Sequence, residues 1–192
     1  MDLAARKAAL RQTMAARRRA RGPGLAAGAG VAVAARVEAL DAFARAGRVA
    51  LYAALPDELP TRPLFEAVRR HGKSALFPRL AGERLEFAPV ERWEELRPGR
   101  YGVLEPPPGA AGAGWGDLVL VPGVAFDRTG HRLGRGGGTY DRTFAEAGEG
   151  VVLIGVAYEF QLVDEVPHGP GDRRLHAVVT ERAFYPAGEA AQ

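Results

Sequence analysis

The residues with the most chemical potential lie in one stretch, Arg132-Leu-Gly-Arg-Gly-Gly-Gly-Thr-Tyr-Asp141. Gly134, Gly136, Gly137 and Gly138 free the backbone to take unusual angles and to approach a ligand closely, so successive N–H groups can point at one anion. Arg132 and Arg135, with Arg128 and Arg142 nearby, supply planar forked donors that match phosphate oxygens. No Gly-Lys-Ser/Thr closes the loop, which excludes the Walker pattern, and it lies too far from its strand for a dinucleotide fingerprint. Spacing alone therefore implies either phosphate binding or a flexible surface loop. Asp141 stands at the start of an expected helix, where an acid serves as a cap or holds Mg²⁺ on a bound nucleotide. A second acid, Asp172, sits in His168-Gly-Pro-Gly-Asp172, a setting equally natural for a turn residue.

Such a loop needs a scaffold, and the flanking residues describe one. Asp117-Leu-Val-Leu-Val121 reads as a buried strand closed by Pro122-Gly123, and Val151 to Val156 as another. Leu175 to Thr180 is expected to be the last strand, and a helix is expected from Thr139 to Ala147. Upstream, Arg48 to Ala54 reads as a strand, and Pro56 and Pro60 bracket a loop carrying Asp57 and Glu58. Thr61 is expected to cap a helix with Pro63 in its first turn, running to His71. A strand over Ser74 to Phe77 is expected to end at Pro78, with Arg84 to Ala88 as a hairpin partner and Glu91 to Leu96 as a helical turn. Residues 98–116, rich in Gly, Pro and Ala, read as irregular. At the N-terminus, helices are expected over residues 2–20 and from Val31 to Ala46, separated by Gly22-Pro23-Gly24. Apolar strands alternating with helices imply one three-layer α/β/α domain over residues 1–192, with a mostly parallel sheet and N-terminal helices. In such folds ligands gather where the loops leave the carboxyl ends of the strands.

Composition narrows the function classes. The chain has no cysteine, which excludes disulfides, thiolate metal sites and a cysteine nucleophile, and suits a cytoplasmic protein. No apolar run approaches the ~20 residues that span a bilayer, so no membrane partner is expected. Net charge is only +3, yet Arg6, Lys7, Arg11, Arg17, Arg18, Arg19 and Arg21 crowd the first helix with no acid among them. Either a solvated helix face or a nucleic-acid arm would look like this; no interleaved aromatic residue offers bases a stacking surface, which disfavours the second.

Longer segments carry a more specific signal. Asp117-Leu-Val-Leu-Val-Pro-Gly-Val-Ala-Phe-Asp127, continued by Gly130-His-Arg-Leu-Gly-Arg-Gly-Gly-Gly-Thr-Tyr-Asp141, resembles the signature of the 5-formyltetrahydrofolate cyclo-ligases. Lys7-Ala-Ala-Leu-Arg11, Tyr52-Ala-Ala-Leu-Pro-Asp-Glu58 with Thr61, and Phe77-Pro-Arg79 are similar to three further segments of that family. The resemblance implies an ATP- and Mg²⁺-dependent enzyme that acts on 5-formyltetrahydrofolate. It implies an ATP site of Lys7, Arg11, Arg132, Leu133, Gly134, Arg135, Gly136, Gly137, Gly138, Thr139 and Tyr140. It implies a folate site of Arg11, Ala53, Glu58, Tyr101, Arg135, Gly136, Gly137, Gly138 and Thr139, with Glu58 on the pterin. Lys7, Arg132 and Arg135 are the catalytic cations and Asp141 and Asp172 the Mg²⁺ ligands by the same implication. A cytoplasmic monomer without a nucleic-acid partner is the expectation.

Overall fold

The computed structural model describes residues 2–21 and 23–188. Along the chain come α1 (Leu3–Ala20), α2 (Pro23–Glu38), α3 (Asp41–Arg45), β1 (Arg48–Ala50), α4 (Arg62–Arg70), β2 (Ser74–Ala81), β3 (Arg84–Pro89), β4 (Arg97–Pro98), β5 (Leu104–Glu105), β6 (Leu118–Val121), β7 (Ala125–Phe126), β8 (Arg132–Leu133), α5 (Thr139–Phe144), β9 (Val152–Ala157), β10 (Ala177–Thr180) and β11 (Phe184–Pro186). A seven-stranded sheet has the order β11-β10-β9-β6-β1-β2-β3. Its five central strands run parallel, and β3 and β11 close the two edges antiparallel. This is the mostly parallel α/β architecture that the strand–helix alternation implies.

Residue alternation splits the core into two faces. Val49, Leu118, Leu120, Ile154, Val156 and Val179 point to one face, under Val33 and Val37 of α2, Phe43 of α3 and Leu64 and Val68 of α4. Ala50, Leu76, Val119, Val121, Leu153 and Val178 point to the other, where Phe126 and Phe144 of α5 cover them. A third, smaller cluster joins Met14 of α1 to Val124, Ala125, Leu133 and Val166. The basic first helix is thus docked through an apolar stripe, not free in solvent.

Several boundaries differ from expectation for identifiable reasons. The second helix starts at Pro23 and not at Val31, since a proline in the first turn gives up an N–H that has no helical partner anyway. It stops at Glu38; Leu40 is extended and opens a separate short helix, α3. β2 does not end at Pro78. Its pairing with β1 finishes at Leu76, so Pro78 falls where β2 has a neighbour only on its β3 side and a missing N–H is tolerated. Thr61 sits at the N-cap of α4, but its hydroxyl donates to the Tyr52 carbonyl (2.6 Å) and accepts the Ala54 N–H (3.2 Å), tying the Asp57–Glu58 loop closed. α5 ends at Phe144, short of Ala147. Leu175–Thr180 is not the last strand, because β11 pairs back onto β10.

Two features position the site. β1 leads outward to β2 and β3, while β6 leads the opposite way to β9 and β10, so the chain order reverses between β1 and β6 and their loops part there. The β7–β8 hairpin, which ends in the glycine loop, lies flush on bare backbone: a Cβ on Gly155 or Gly123 would stand 2.6 or 2.5 Å from the Phe126 ring.

Candidate active site

Above the β1–β6 divide opens a cleft of about 720 Å³, lined by Tyr52, Ala53, Glu58 and Pro78 on one side and by Arg132, Gly134, Arg135, Gly137, Gly138, Thr139, Tyr140 and Asp141 on the other. Beyond Asp141 lies a second hollow of about 770 Å³, which Asp141 shares with Asp172, Arg173, Arg174 and His176. Topology therefore brings the glycine loop and the Asp57–Glu58 loop face to face, although they are far apart in sequence.

The glycine loop has a backbone able to cradle an anion. Gly136 (φ 111°) and Gly138 (φ 66°) occupy backbone angles that side chains oppose. Among the described residues none accepts a hydrogen bond from the N–H groups of Gly134 to Gly138. Three of its carbonyls are occupied: Arg11 Nε donates to Gly134 (2.9 Å), Arg142 Nη2 to Gly137 (2.8 Å) and the Arg142 N–H to Gly138 (3.0 Å). A row of free donors beside arginines favours a multiply charged anion.

α1 brings one cation, Arg11, to this loop and another, Lys7, to Asp172. The Arg11 guanidinium also packs against Gly136, where a Cβ would lie 3.6 Å from its carbon. Lys7 Nζ donates to Asp172 Oδ2 at 2.6 Å, and the Gly169 N–H donates to the same oxygen at 2.8 Å. Partial burial would raise the Asp172 carboxyl, but the Lys7 ammonium and the Gly169 N–H prevail and hold it below the usual carboxylate range. Arg132 is more deeply enclosed, its side chain 2% exposed, and its Nη2 donates to Asp141 Oδ1 at 2.8 Å. The guanidinium lies over the rings of Tyr140 and Phe144, and its Nη1 is buried with no partner. Burial drives the Tyr140 phenol well above its ordinary range, so it stays protonated.

Asp141 and Asp172 suit Mg²⁺ by their chemistry: two hard carboxylates bordering one hollow, with thiolate absent from the chain. Among the described residues no three or more acids and histidines gather into a cage. An ion held there would take most of its shell from phosphate oxygens and water, as Mg²⁺ commonly does.

On the opposite wall, the Glu58 side chain is only 11% exposed. Its Oε2 accepts the Leu55 N–H (3.0 Å), and its Oε1 accepts Arg135 Nη2 (2.9 Å) and Nε (3.2 Å). Arg135 Nη2 also reaches Asp57 Oδ1 at 3.0 Å. Tyr52 and Ala53 are buried beneath this loop, and burial raises the Tyr52 phenol well above its ordinary value. Thr139 and Leu133 flank the glycine loop, Leu133 buried against Met14. The Tyr101 backbone lies in a 3₁₀ turn, Arg100–Gly102; its side chain lies outside the described residues. Arg79, of the Phe77-Pro-Arg79 segment, is engaged by Glu86 at 2.9 Å.

Sequence reading passed over Arg18 and left Asp57 without a role, yet both belong to the charged network at the cleft. A signal existed: Lys7, Arg11, Met14 and Arg18 recur at helical spacing and so share one stripe of α1. His131 stacks on His168 with ring centroids 3.6 Å apart, and His71 pairs with Glu38; neither lines the cleft.

Comparison with known proteins gives this geometry its context. A family model described as the 5-formyltetrahydrofolate cyclo-ligase family matches residues 3–181. The 5-formyltetrahydrofolate cyclo-ligase of Mycolicibacterium smegmatis is 33% identical over 142 residues, covering 70% of this chain and 73% of that one. The Escherichia coli enzyme of the same name is 35% identical over 139 residues, 69% of this chain and 76% of that one. An NMR structure of Aquifex aeolicus 5,10-methenyltetrahydrofolate synthetase superposes with a TM-score of 0.81 at 29% identity, over 97% of this chain and 95% of that one. The corresponding Mycoplasma pneumoniae structure, 23% identical with a TM-score of 0.73, shares the fold. With nearly its whole length matched, the chain belongs to the 5-formyltetrahydrofolate cyclo-ligase family of ligases.

Proposed function

We propose that the chain converts 5-formyltetrahydrofolate and ATP into 5,10-methenyltetrahydrofolate, ADP and phosphate, with Mg²⁺ at Asp141 and Asp172. The observation that carries this reading is a glycine loop whose N–H groups from Gly134 to Gly138 have no acceptor among the described residues, on the same cleft as the Glu58 carboxylate.

The formyl amide is a weak electrophile and its oxygen a poor leaving group. Transfer of the γ-phosphoryl group to that oxygen breaks the bond to ADP and turns the oxygen into phosphate, a competent leaving group. N10 then attacks the formyl carbon, the C–O bond breaks, and phosphate departs with closure of the five-membered ring and loss of the N10 proton. Phosphoryl transfer of this kind asks a protein for alignment and charge neutralisation, not for a nucleophile. The free N–H groups and Arg132 bind phosphate oxygens, and Lys7 and Arg11 close over them from α1. Asp141 and Asp172 would hold Mg²⁺, which would supply positive charge to neutralise the phosphates. Glu58, an acceptor-only group in a nearly closed wall, binds the N–H donors of the pterin, and Arg135 lies between the two loops to meet charge that develops on the transferring group. Tyr52, Ala53 and Tyr140 shape the apolar walls.

Methenyl product has its own absorbance, so the reaction can be followed directly. Product is expected from the complete mixture and not when either ATP or Mg²⁺ is omitted. A complete mixture that forms none overturns the reading.

A further inference from the structure

One stripe of α1 carries Lys7, Arg11, Met14 and Arg18, and each has its own task. The first two reach the glycine loop and Asp172, and Met14 seats the helix. Arg18 turns to the other wall. Its side chain, 5% exposed, donates from Nη2 to the Gly123 carbonyl (2.7 Å) and from Nη1 to Asp57 Oδ2 (3.0 Å). Asp57 holds Arg135 with its other oxygen, and Arg135 holds Glu58. Two guanidiniums and two carboxylates thus form a continuous series, Arg18–Asp57–Arg135–Glu58. Three residues on, Arg21 donates to the Pro56 carbonyl (2.7 Å) and to the Tyr158 hydroxyl, which in turn donates to the Glu58 carbonyl (3.1 Å). The acid-bearing loop is therefore tied to α1 through both a side chain and its backbone.

The members of the series differ in freedom. Arg18 is enclosed and fixed by two acceptors, whereas the Arg135 side chain is 52% exposed. Glu58 Oε2 accepts the Leu55 N–H and keeps one lone pair, while Oε1 already accepts twice from Arg135, so a ligand that offers two N–H donors to the carboxylate has to displace Arg135 from Oε1. Arg135 then has to let go of Glu58 while Asp57 still holds it. We propose, resting on the cyclo-ligase reading above, that Asp57 is the positioning residue for Arg135: anchored by Arg18, it keeps that guanidinium between the two substrate loops once the pterin occupies Glu58. Without it, Arg135 has the same charge but no fixed direction, and its effect on the transferring phosphoryl group is diluted.

The test is a double-mutant cycle on turnover, using Asp57→Asn, Arg135→Ala and the pair, each followed at enzyme concentrations that resolve a single turnover. Asp57→Asn is expected to lower kcat about tenfold while the folate KM moves less than about threefold, the pattern of an interaction made in the transition state. On the Arg135→Ala background the same change is expected to cost less than about twofold, because the group it positions is gone. A kcat within about twofold of the native value for Asp57→Asn, or a full penalty persisting without Arg135, overturns the proposal. Should Asp57→Asn fail to fold, Arg18→Lys carries the same cycle with the same two outcomes. If the unsubstituted protein itself forms no methenyl product, the cyclo-ligase reading fails and this proposal with it; an active protein indifferent to Asp57→Asn sinks the positioning role alone.

Discussion

Arg132 brings a full positive charge into a space that water hardly reaches, and Asp141 is the carboxylate that answers it. The guanidinium already leaves Nη1 without a partner, so it depends on Asp141 more than a surface arginine would. Asp141 consequently has two roles in the reading offered here: metal ligand, and counter-charge to Arg132. Substitutions should separate them. Asp141→Asn keeps an oxygen for the Arg132 N–H and is expected to fold while losing Mg²⁺-supported turnover. Asp141→Ala is expected to lose turnover and about 1–3 kcal/mol of stability as well, because it strands a buried donor. Urea denaturation beside a Mg²⁺ titration of turnover reads both; a normal Mg²⁺ response in Asp141→Asn would refute the ligand assignment.

At the level of elements, the sheet is pinned at the end remote from the cleft. Asp117, just before β6, accepts the N–H groups of Gly47 and Arg48 at the start of β1, both at 2.9 Å, and pairs with the Arg48 guanidinium at 3.3 Å. The Arg48 N–H, helped by the Gly47 N–H and opposed by partial burial, holds this carboxyl below its usual range. The sign follows. The unfolded chain takes up the proton at the ordinary value, about pH 4, and the folded chain only at lower pH, so the contribution is complete above that range and disappears as pH falls through the folded value. Asp117→Asn should therefore be less stable than the native chain near neutrality, with the gap closing below about pH 4. A gap of constant size down to the acid limit of folding would show that the charge is not what joins the two strands. Register between β1 and β6 matters to the site because their opposite ends carry the two loops of the cleft.

For the molecule as a whole, α1 acts as a spar between two cleft loops that belong to different halves of the sheet. Its apolar hold on the remainder is a small cluster around Met14, which is 1% exposed among Val124, Ala125, Leu133 and Val166. Met14→Ala is expected to cost about 2–5 kcal/mol, and the loss should concentrate on α1. Hydrogen exchange would then speed up in residues 3–20 well before it does in the central strands, and turnover would fall although no substrate contact had been touched. Uniform acceleration across the sheet would contradict a separately docked helix. No helix among the described residues is long and apolar enough to cross a membrane, and three of the six cations of α1, Lys7, Arg11 and Arg18, are engaged inside the molecule, on Asp172, Gly134, Asp57 and Gly123.

Much of this was legible in the residues alone, for a physical reason: glycine angles, apolar alternation and the forked donors of arginine act over a few neighbouring positions. The strand–helix alternation, the glycine–arginine loop and the family resemblance all came from such local information, and the fold and family agree with it. What local information could not supply was adjacency. Pro78 could be accepted inside β2 only because β1 stops beside it, and β11 was visible only as a partner of β10. Arg18 read as one of several arginines on a solvated face; the docking of α1 buried it, and the strand order brought Asp57, Arg135 and Glu58 into its reach. The sequence by itself determined which groups have the chemistry to bind phosphate, and the family resemblance added the expectation that Glu58 meets the pterin. Only the tertiary structure decided which charges answer one another, because ion pairing depends on distances that chain order does not contain.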